Sequence, residues 1–378
     1  LAKSEAVTLP LLLIIIDFYK GRKTDRKAIL EKVPMLLLSG VILFVSFLST
    51  QAEGGLGEGS ISVYGWVNRI FLFTAVPAFY IVKLFLPVNL SAMHYYPDMH
   101  NGMFPWVYYA SLPFLILVVW FVFRKSRFRK ELLFGSAFFA GAICIMPQLV
   151  SVGPALTPER YSYIPYVGFF YIGGQWITRY GTGKWRTLLY GAFGVIVLVF
   201  SIMSWKRVEA WSDSETLLTD VLEKNKDIAD CSFFYWLRGN ARIQDGNVKE
   251  AIEDYTTALQ QFPGYSEAYA NRGAAYFKAG DFSAAIRDYD KAIKIKPGNS
   301  RNYYNRAAGK ATTGDFSGAL DDYNRFLQMQ PNDAGAYADR GMVKVSMKDT
   351  VGACLDWKKS AQLGNETAAK IAAQVCGR

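Results

Sequence analysis

Two patterns of apolar and polar positions divide the chain. The first half consists of long apolar runs separated by short basic segments, whereas the second half alternates apolar and polar residues with the period of amphipathic helices. A membrane-spanning helix needs about 20 predominantly apolar residues. Six runs approach this length: residues 6–19, 33–50, 106–123, 132–150, 163–178 and 187–205. Residues 1–206 are therefore predicted to form a helical transmembrane domain with about six spans.

A seventh apolar run covers only residues 70–82 and has Pro77 in its middle. Runs of about 10–14 residues are more typical of re-entrant or interfacial segments than of spans. We therefore predict an interfacial or re-entrant segment over residues 66–86. A seventh crossing is the alternative, and it would invert the orientation of every later loop.

The distribution of charge bears on this choice. The chain has a formal net charge of +10, and the excess lies in residues 1–206, which hold 19 Lys and Arg against 9 Asp and Glu. Most of these basic residues fall in three short loops, 20–32, 124–130 and 179–186. If residues 66–86 do not cross, all three loops lie on one side, as the positive-inside rule requires. The charge thus indicates membrane topology and argues against a nucleic-acid partner. It predicts a bacterial inner-membrane protein whose remaining residues from 207 onward lie in the periplasm.

From residue 232 onward the sequence repeats with a strict period of about 34 residues. An Arg, a small residue, a turn Gly, an Ala, an aromatic residue and a Pro recur in fixed register, as in Arg238, Gly239, Gly246, Ala251, Tyr255 and Pro263. This pattern resembles the tetratricopeptide repeat, a helix–turn–helix unit that stacks into a solenoid. We predict four repeats, 232–265, 266–299, 300–333 and 334–367, preceded by an amphipathic linker helix (207–231) and followed by a capping helix (368–378). The predicted fold class is all-α: a polytopic transmembrane helical domain followed by a tetratricopeptide α-solenoid.

One position on the first helix of each repeat carries Leu237, Asn271, Asn305 and Asp339 in succession. Aligned amide side chains both donate and accept hydrogen bonds, so they can hold an extended peptide backbone. Asn271, Asn305 and Asp339 are therefore candidates for a peptide-binding groove. The alternative is that these side chains satisfy local backbone groups or are solvated.

Cys354 lies in the last repeat and Cys376 in the predicted cap that packs against it. An extracytoplasmic location permits a disulfide between them, which would stabilise this end of the array by about 3 kcal/mol. Two buried free thiols are the alternative.

Three polar clusters converge on the outer face in the non-crossing topology. The first contains Lys3 and Glu5, the second Asn89 and His94, and the third Glu159, Arg160 and Tyr161. Charged residues at span ends are candidates for function, and Arg holds phosphate groups in a bidentate manner. The alternative is interfacial anchoring, because Tyr and Arg favour the headgroup layer.

No strong metal-ligand spacing, phosphate-binding loop or CxxC pair is present, so no metal site and no bound cofactor are predicted.

The motifs around these clusters are Lys3-Ser-Glu-Ala-Val-Thr-Leu-Pro10, Pro87-Val-Asn-Leu-Ser91 and Pro158-Glu-Arg-Tyr-Ser-Tyr-Ile-Pro165. Together with the repeats they resemble the later part of transmembrane-and-tetratricopeptide proteins related to protein O-mannosyltransferases, which are GT-C type glycosyltransferases. The resemblance implies transfer of a sugar from a polyprenyl-phosphate donor to protein hydroxyls, with a catalytic acidic residue in the first outer loop.

This sequence starts at Leu1 with an apolar run within a few residues. We therefore expect it to be the carboxy-terminal part of a longer polypeptide, with that acidic residue upstream. The three clusters would then bind the donor or line the cavity, and the repeats would bind the acceptor polypeptide.

The second hypothesis is a non-enzymatic scaffold, in which the membrane domain anchors repeats that assemble envelope proteins. Both hypotheses require a lipid bilayer and a polypeptide partner.

Overall fold

A computed structural model describes residues 7–22, 25–52, 65–88, 90–92, 94, 97–99, 102–124, 128–144, 162–225, 228 and 230–376. The regular elements of these residues are helices, which confirms the predicted all-α class. The chain divides into two compact units, Leu1–Ala229 and Asp230–Arg378, and each is described by itself.

The described helices of the first unit differ in length from the predicted spans. They are α1 (Leu9–Tyr19), α2 (Arg26–Leu30), α3 (Val33–Ala52), α4 (Trp66–Phe85), α5 (Trp106–Phe123), α6 (Arg129–Ile143), α7 (Tyr163–Tyr180), α8 (Gly183–Glu209) and α9 (Ser214–Lys224). Four stretches of the described chain are long and apolar enough to cross a membrane: Arg26–Val45, Trp66–Phe85, Trp106–Phe123 and Gly183–Glu209. Helix α1 is apolar but has only 11 residues.

Helices α6 and α7 approach each other most closely at two glycines. A Cβ atom on Gly135 would lie too close to the carbonyl oxygen of Gly168, and a Cβ atom on Gly168 would lie too close to that of Gly135. Gly141, further along α6, leaves room for Ile15 of α1. Small residues at a helix crossing allow the two backbones to approach closely. Glycine therefore sets the spacing of α1, α6 and α7.

Helix α4 contacts the segment that follows it and the first turns of α5 and α7. Its partners are Met99 (from Asn68), Tyr109 (from Phe71), Ser111 (from Thr74), His94 (from Phe79) and Tyr166 (from the Tyr80 carbonyl oxygen). Tyr109 and Ser111 lie in the first two turns of α5, and Tyr166 lies in the first turn of α7. Although α4 is long enough to cross a membrane, its described contacts with α5 and α7 fall in the first two turns of those helices.

Helix α8 continues beyond the predicted span. It runs from Gly183 to Glu209 without a buried residue, so the first residues assigned from sequence to a linker helix belong to α8. Arg207, in its last turn, forms a bidentate ion pair with Asp220 of α9 at 2.6 and 2.7 Å. Lys224 of α9 also contacts Asp220 and donates to the carbonyl oxygen of Leu90. The predicted linker is thus a short helix, α9, held against the end of α8 and the segment after α4.

The second unit is a series of antiparallel helix pairs. The helices are α10 (Ser232–Gln244), α11 (Val248–Gln261), α12 (Ser266–Lys278), α13 (Phe282–Ile295), α14 (Ser300–Thr312), α15 (Phe316–Met329), α16 (Ala334–Ser346), α17 (Thr350–Gln362) and α18 (Glu366–Val375). Ala251, Ala285, Ala319 and Ala353 are fully buried where paired helices meet. The register read from the sequence is therefore the register of the solenoid.

The turn between the two helices of each pair needs a residue with positive φ. Gly246, Gly280 and Gly314 supply it with φ between 85° and 86°, but the last repeat has Lys348 there with φ 63°. A left-handed conformation costs an L-residue about 1–2 kcal/mol.

Replacing Lys348 by glycine is expected to stabilise the α16–α17 pair by about 1 kcal/mol, because glycine adopts this conformation without steric cost. The matched change Gly314→Ala should destabilise the α14–α15 pair by a similar amount. Hydrogen exchange of the amides in each pair, within the full chain, measures both effects. Slower exchange after Gly314→Ala would contradict the cost that we assign to positive φ at this turn position.

Candidate functional site

Most of the candidate site residues that the sequence predicts in the first half of the chain lie outside the described residues. This holds for Lys3, Glu5, Asn89, Glu159, Arg160 and Tyr161. His94 is described and half-buried, and its ring meets that of Phe79 edge-on with 4.9 Å between centroids. The Nζ atom of Lys83 lies 5.0 Å from the centroid of the same Phe79 ring. Within the described residues, no group of three His, Cys, Asp or Glu side chains is placed to hold a metal ion.

Residues near the second and third motifs contact α4. His94, from the second polar cluster, packs on Phe79, and one residue further along α4 the carbonyl oxygen of Tyr80 accepts a 2.8 Å hydrogen bond from the Tyr166 hydroxyl. Tyr166 follows the third motif directly. His94 and Tyr166, which lie close in sequence to two of the three motifs, therefore contact the same turn of α4.

Each repeat of the second unit contains a buried bidentate ion pair between its two helices. The pairs join an Arg to the Asp 16 residues later: Arg238–Asp254, Arg272–Asp288, Arg306–Asp322 and Arg340–Asp356, at 2.5–2.9 Å. The Arg guanidinium also stacks on a Tyr three residues earlier, 5.3–5.7 Å from the ring centroid. Planar guanidinium groups suit this combination of bidentate pairing and stacking.

The remaining guanidinium nitrogen of three of these arginines reaches the preceding repeat. Nη1 donates from Arg272 to Thr256, from Arg306 to Asp290 and from Arg340 to Asn324, at 2.5–2.9 Å. Desolvation by burial acts to lower the pKa of Arg272 and Arg306, but the nearby carboxylates outweigh it and raise the pKa of both groups. In each of the last three repeats one arginine thus joins three helices. We call the row of Arg238, Arg272, Arg306 and Arg340 the arginine ladder.

The predicted groove residues make hydrogen bonds between neighbouring repeats. Asn271 donates from Nδ2 to Oδ1 of Asn240 at 2.7 Å, and the Tyr255 hydroxyl donates to the same oxygen at 2.8 Å. The Tyr304 hydroxyl donates to Asp339 at 2.5 Å. These half-buried side chains form a cross-repeat polar row along the first helices.

Asn305 belongs to the same polar row. Its side chain is hydrogen-bonded to the Tyr289 hydroxyl, while burial raises the pKa of that phenol. Burial likewise raises the pKa of Tyr304, and its bond to Asp339 adds to the shift. Both tyrosines therefore stay protonated throughout the physiological pH range, and the Tyr304 hydroxyl keeps donating to Asp339.

Sequence reasoning missed Asn240 and Tyr304 as members of this row. Asn240 lies three positions after the equivalent of Asn271 in its own repeat, and Tyr304 directly precedes Asn305. The repeat period aligns equivalent positions, but the superhelical offset between repeats brings different positions into contact. A spacing of 31 residues, as between Asn240 and Asn271, is the signal that could have identified the first pair.

Two polar atoms in the array are buried without a hydrogen-bond partner among the described residues: Nε1 of Trp236 and Nδ2 of Asn302. Trp236 lies at the same position of its repeat as Tyr304 and packs on Tyr265, with 5.6 Å between ring centroids. Asn302 is 2% exposed. Trp236 thus replaces a Tyr of the polar row by a larger aromatic side chain. At the position of Asn302 the other repeats have apolar residues.

The last repeat is covalently joined to the final helix. Cys354 of α17 and Cys376, at the end of α18, form a disulfide with Cα atoms 5.6 Å apart. Cys144 and Cys231 are not part of this disulfide.

Comparisons with known proteins agree with the repeat architecture. Residues 266–299 match the family model described as Tetratricopeptide repeat, and residues 239–280 match that described as TPR repeat. A comparison with curated proteins finds no match. The second unit thus contains tetratricopeptide repeats, a class of module that mediates protein–protein interaction.

Three solved structures illustrate the similarity. The chain is similar to the MamA protein (19% identity over 46% of this chain and 93% of that one, TM-score 0.39). It is similar to YrrB, titled a TPR protein with an unusual peptide-binding site (16%, 47% and 87%, TM-score 0.39). It is also similar to the first TPR of Spaghetti (RPAP3) bound to the HSP90 peptide SRMEEVD (25%, 31% and 93%, TM-score 0.31).

Proposed function

We propose that this chain is a membrane-anchored peptide-binding protein whose tetratricopeptide array holds an extended segment of a partner polypeptide. The observation that carries the proposal is the cross-repeat polar row formed by Asn240, Asn271, Asn305 and Asp339. An amide has two N–H donors and an oxygen with two lone pairs. One bond to a neighbouring repeat therefore orients each Asn and leaves capacity for the backbone of a ligand.

Binding through this row has a specific mutational signature. Asn271→Ala is expected to weaken binding of a peptide selected from a phage-displayed library by about tenfold, because a buried peptide group would lose its partner. Gln328→Ala, on the exposed side of α15, is the matched control and should leave the affinity unchanged. The measurement is fluorescence anisotropy with the full chain in nanodiscs. Equal affinity in the two variants would refute the role of the polar row.

We propose further that the first unit lies in a bilayer. Trp185 and Trp205 of α8 are both exposed, and their separation along the chain corresponds to about 30 Å of helix, the thickness of the hydrocarbon core. Trp favours both membrane interfaces. The contacts of α4 with the amino-terminal ends of α5 and α7 favour an interfacial position for this helix. An interfacial α4 keeps the three basic loops on one side and the repeats on the extracytoplasmic side, where disulfides persist.

Sugar transfer from a polyprenyl-phosphate donor is the second candidate function. It is favoured by the contacts of His94, from the second cluster, and Tyr166, which follows the third motif, with Phe79 and Tyr80 of α4, together with the resemblance of the motifs to GT-C type enzymes. Arg160 would bind the donor phosphate through charge-assisted hydrogen bonds.

Replacing Arg160 by alanine is therefore expected to lower transfer from a labelled polyprenyl-phosphate sugar at least tenfold, because a charge-assisted hydrogen bond to phosphate is lost. The assay uses the chain together with any residues that precede it in the natural protein. Arg186→Ala, in a predicted cytoplasmic loop, is the control. Unchanged transfer after Arg160→Ala would remove Arg160 from the site.

A further inference from the structure

The last repeat differs from the other three on its exposed outer helix. Two positions one turn apart on this helix are polar in the first three repeats: Lys249 and Glu253, Ser283 and Arg287, and Ser317 and Asp321. In the last repeat the same positions hold Val351 and Leu355, which are 75% and 65% exposed. Because the first three repeats keep polar side chains here, the fold itself does not require apolar ones.

Lysines flank these two side chains. Lys358 and Lys359 follow Val351 by about two helical turns, which places them on the same face of α17, and Lys348 lies in the turn just before the helix. All three lysines are exposed. We name these five residues the lysine–aliphatic patch.

The acidic residues of this region do not neutralise the patch. Asp356 is buried and paired with Arg340 and Lys344 at 2.6 and 2.8 Å. Asp349 accepts a hydrogen bond from the amide of Gly352 and so caps the start of α17. Asp349 is exposed, so the three exposed lysines face one exposed carboxylate and the net charge at this face of α17 is positive.

The patch is also held in place. The opposite side of α17 packs into the array through Ala353, Trp357 and Ser360, all buried. Cys354, adjacent to Leu355, is joined to α18 by the disulfide. The two aliphatic side chains thus stand on a fixed helix face without a covering element among the described residues.

We propose that the lysine–aliphatic patch binds the surface of an anionic lipid bilayer. Exposed aliphatic residues on one helix face bordered by lysines are typical of helices that lie in a membrane interface, where each lysine contributes about 1 kcal/mol of attraction to anionic lipids. A second copy of the chain is disfavoured, since antiparallel packing of two α17 helices would place Lys348 opposite Lys358 and Lys359. The inference rests on the proposed location of the first unit in a bilayer, which brings lipid within reach.

The test places an environment-sensitive NBD fluorophore on the full chain in nanodiscs, at Val351→Cys or at the matched control Ser317→Cys, both in a Cys144→Ser background. The nanodiscs contain phosphatidylcholine alone or mixed with phosphatidylglycerol, each with a spin-labelled lipid as quencher. We expect strong quenching at position 351 only with phosphatidylglycerol, and none at position 317. Each of Lys358→Gln and Lys359→Gln should lower the ratio of lipid-bound to unbound patch about fivefold. High salt should weaken the quenching as well.

Three results would overturn the inference. The first is equal quenching at positions 351 and 317, and the second is quenching at position 351 that is the same with and without phosphatidylglycerol. The third is shielding of the fluorophore at position 351 from water that requires an added protein and not lipid. Failure of the chain to incorporate into nanodiscs would instead refute the proposed membrane location. In that case flotation with phosphatidylglycerol vesicles, comparing the unmodified chain with Leu355→Ser, still decides whether the patch binds lipid.

Discussion

Replacement of Arg306 by alanine is expected to lower the free energy of unfolding of the repeat array by about 3–5 kcal/mol, the cost of breaking a buried ion pair from one side. Side chains of Arg306 and Asp322 are only 17% and 6% exposed. Without the guanidinium, Asp322 keeps Lys310 at 2.9 Å but loses its bidentate partner. The change also removes the bond to Asp290 that joins the α14–α15 pair to the preceding repeat.

Native-state hydrogen exchange of α13, α14 and α15 within the full chain measures this loss. Arg325→Ala is the matched control, because Arg325 is an exposed arginine of α15 whose recorded partner is Gln328, and surface changes of this kind stay within about 0.5 kcal/mol. Arg306→Lys should fall between the two, since lysine keeps the charge but not the bidentate geometry. Equal exchange rates for the Arg306→Ala and Arg325→Ala variants would show that the arginine ladder does not stabilise the array.

Replacement of Cys354 by serine is expected to destabilise the end of the array by about 3 kcal/mol, because the disulfide closes a loop of 22 residues and restricts the unfolded chain. The effect should be confined to α17 and α18, since each repeat of a solenoid contacts only its neighbours. Faster hydrogen exchange in these two helices, with α10–α13 unchanged, is the expected observation.

The control for this change is Cys144→Ser, which removes a free thiol of the first unit and should leave α17 and α18 unaffected. Reduction of the unmodified chain should reproduce the Cys354→Ser exchange pattern, and intact mass should rise by two hydrogens on reduction. Exchange in α17 and α18 that is insensitive to both the substitution and reduction would contradict a stabilising role for the disulfide.

The apolar first half of the chain shows that local sequence patterns do not define where helices end. Hydropathy predicted an apolar run over residues 187–205 and a linker helix from residue 207, whereas α8 runs from Gly183 to Glu209 and α9 begins at Ser214. An amphipathic period marks which residues are apolar and not where one helix stops and the next begins. The segment predicted over residues 66–86 is one continuous helix, Trp66–Phe85, with Pro77 inside it. Asn68 and Thr74 of this helix bond to neighbouring segments.

The candidate site divides in the same way. Asn271, Asn305 and Asp339 were identified because they recur at one repeat position, and a strict period is visible without coordinates. Asn240 and Tyr304 occupy other repeat positions, so nothing local marks them as partners of the same row. The lysine–aliphatic patch was also overlooked, since a Val and a Leu on an amphipathic helix look like core residues until their exposure is known.

By itself the sequence determined the all-α class, the division into an apolar half and a repeat half, and the register of the repeats. These properties follow from local periodicity and from the strict spacing of the repeats, which keeps each Arg at a constant separation from its Asp. Only the tertiary structure decided that each such Arg beyond the first repeat also reaches the preceding repeat, that Asn271 meets Asn240, and that α4 contacts the first turns of α5 and α7. Those contacts depend on the angles at which helices pack, and packing angles are set by many distant side chains at once.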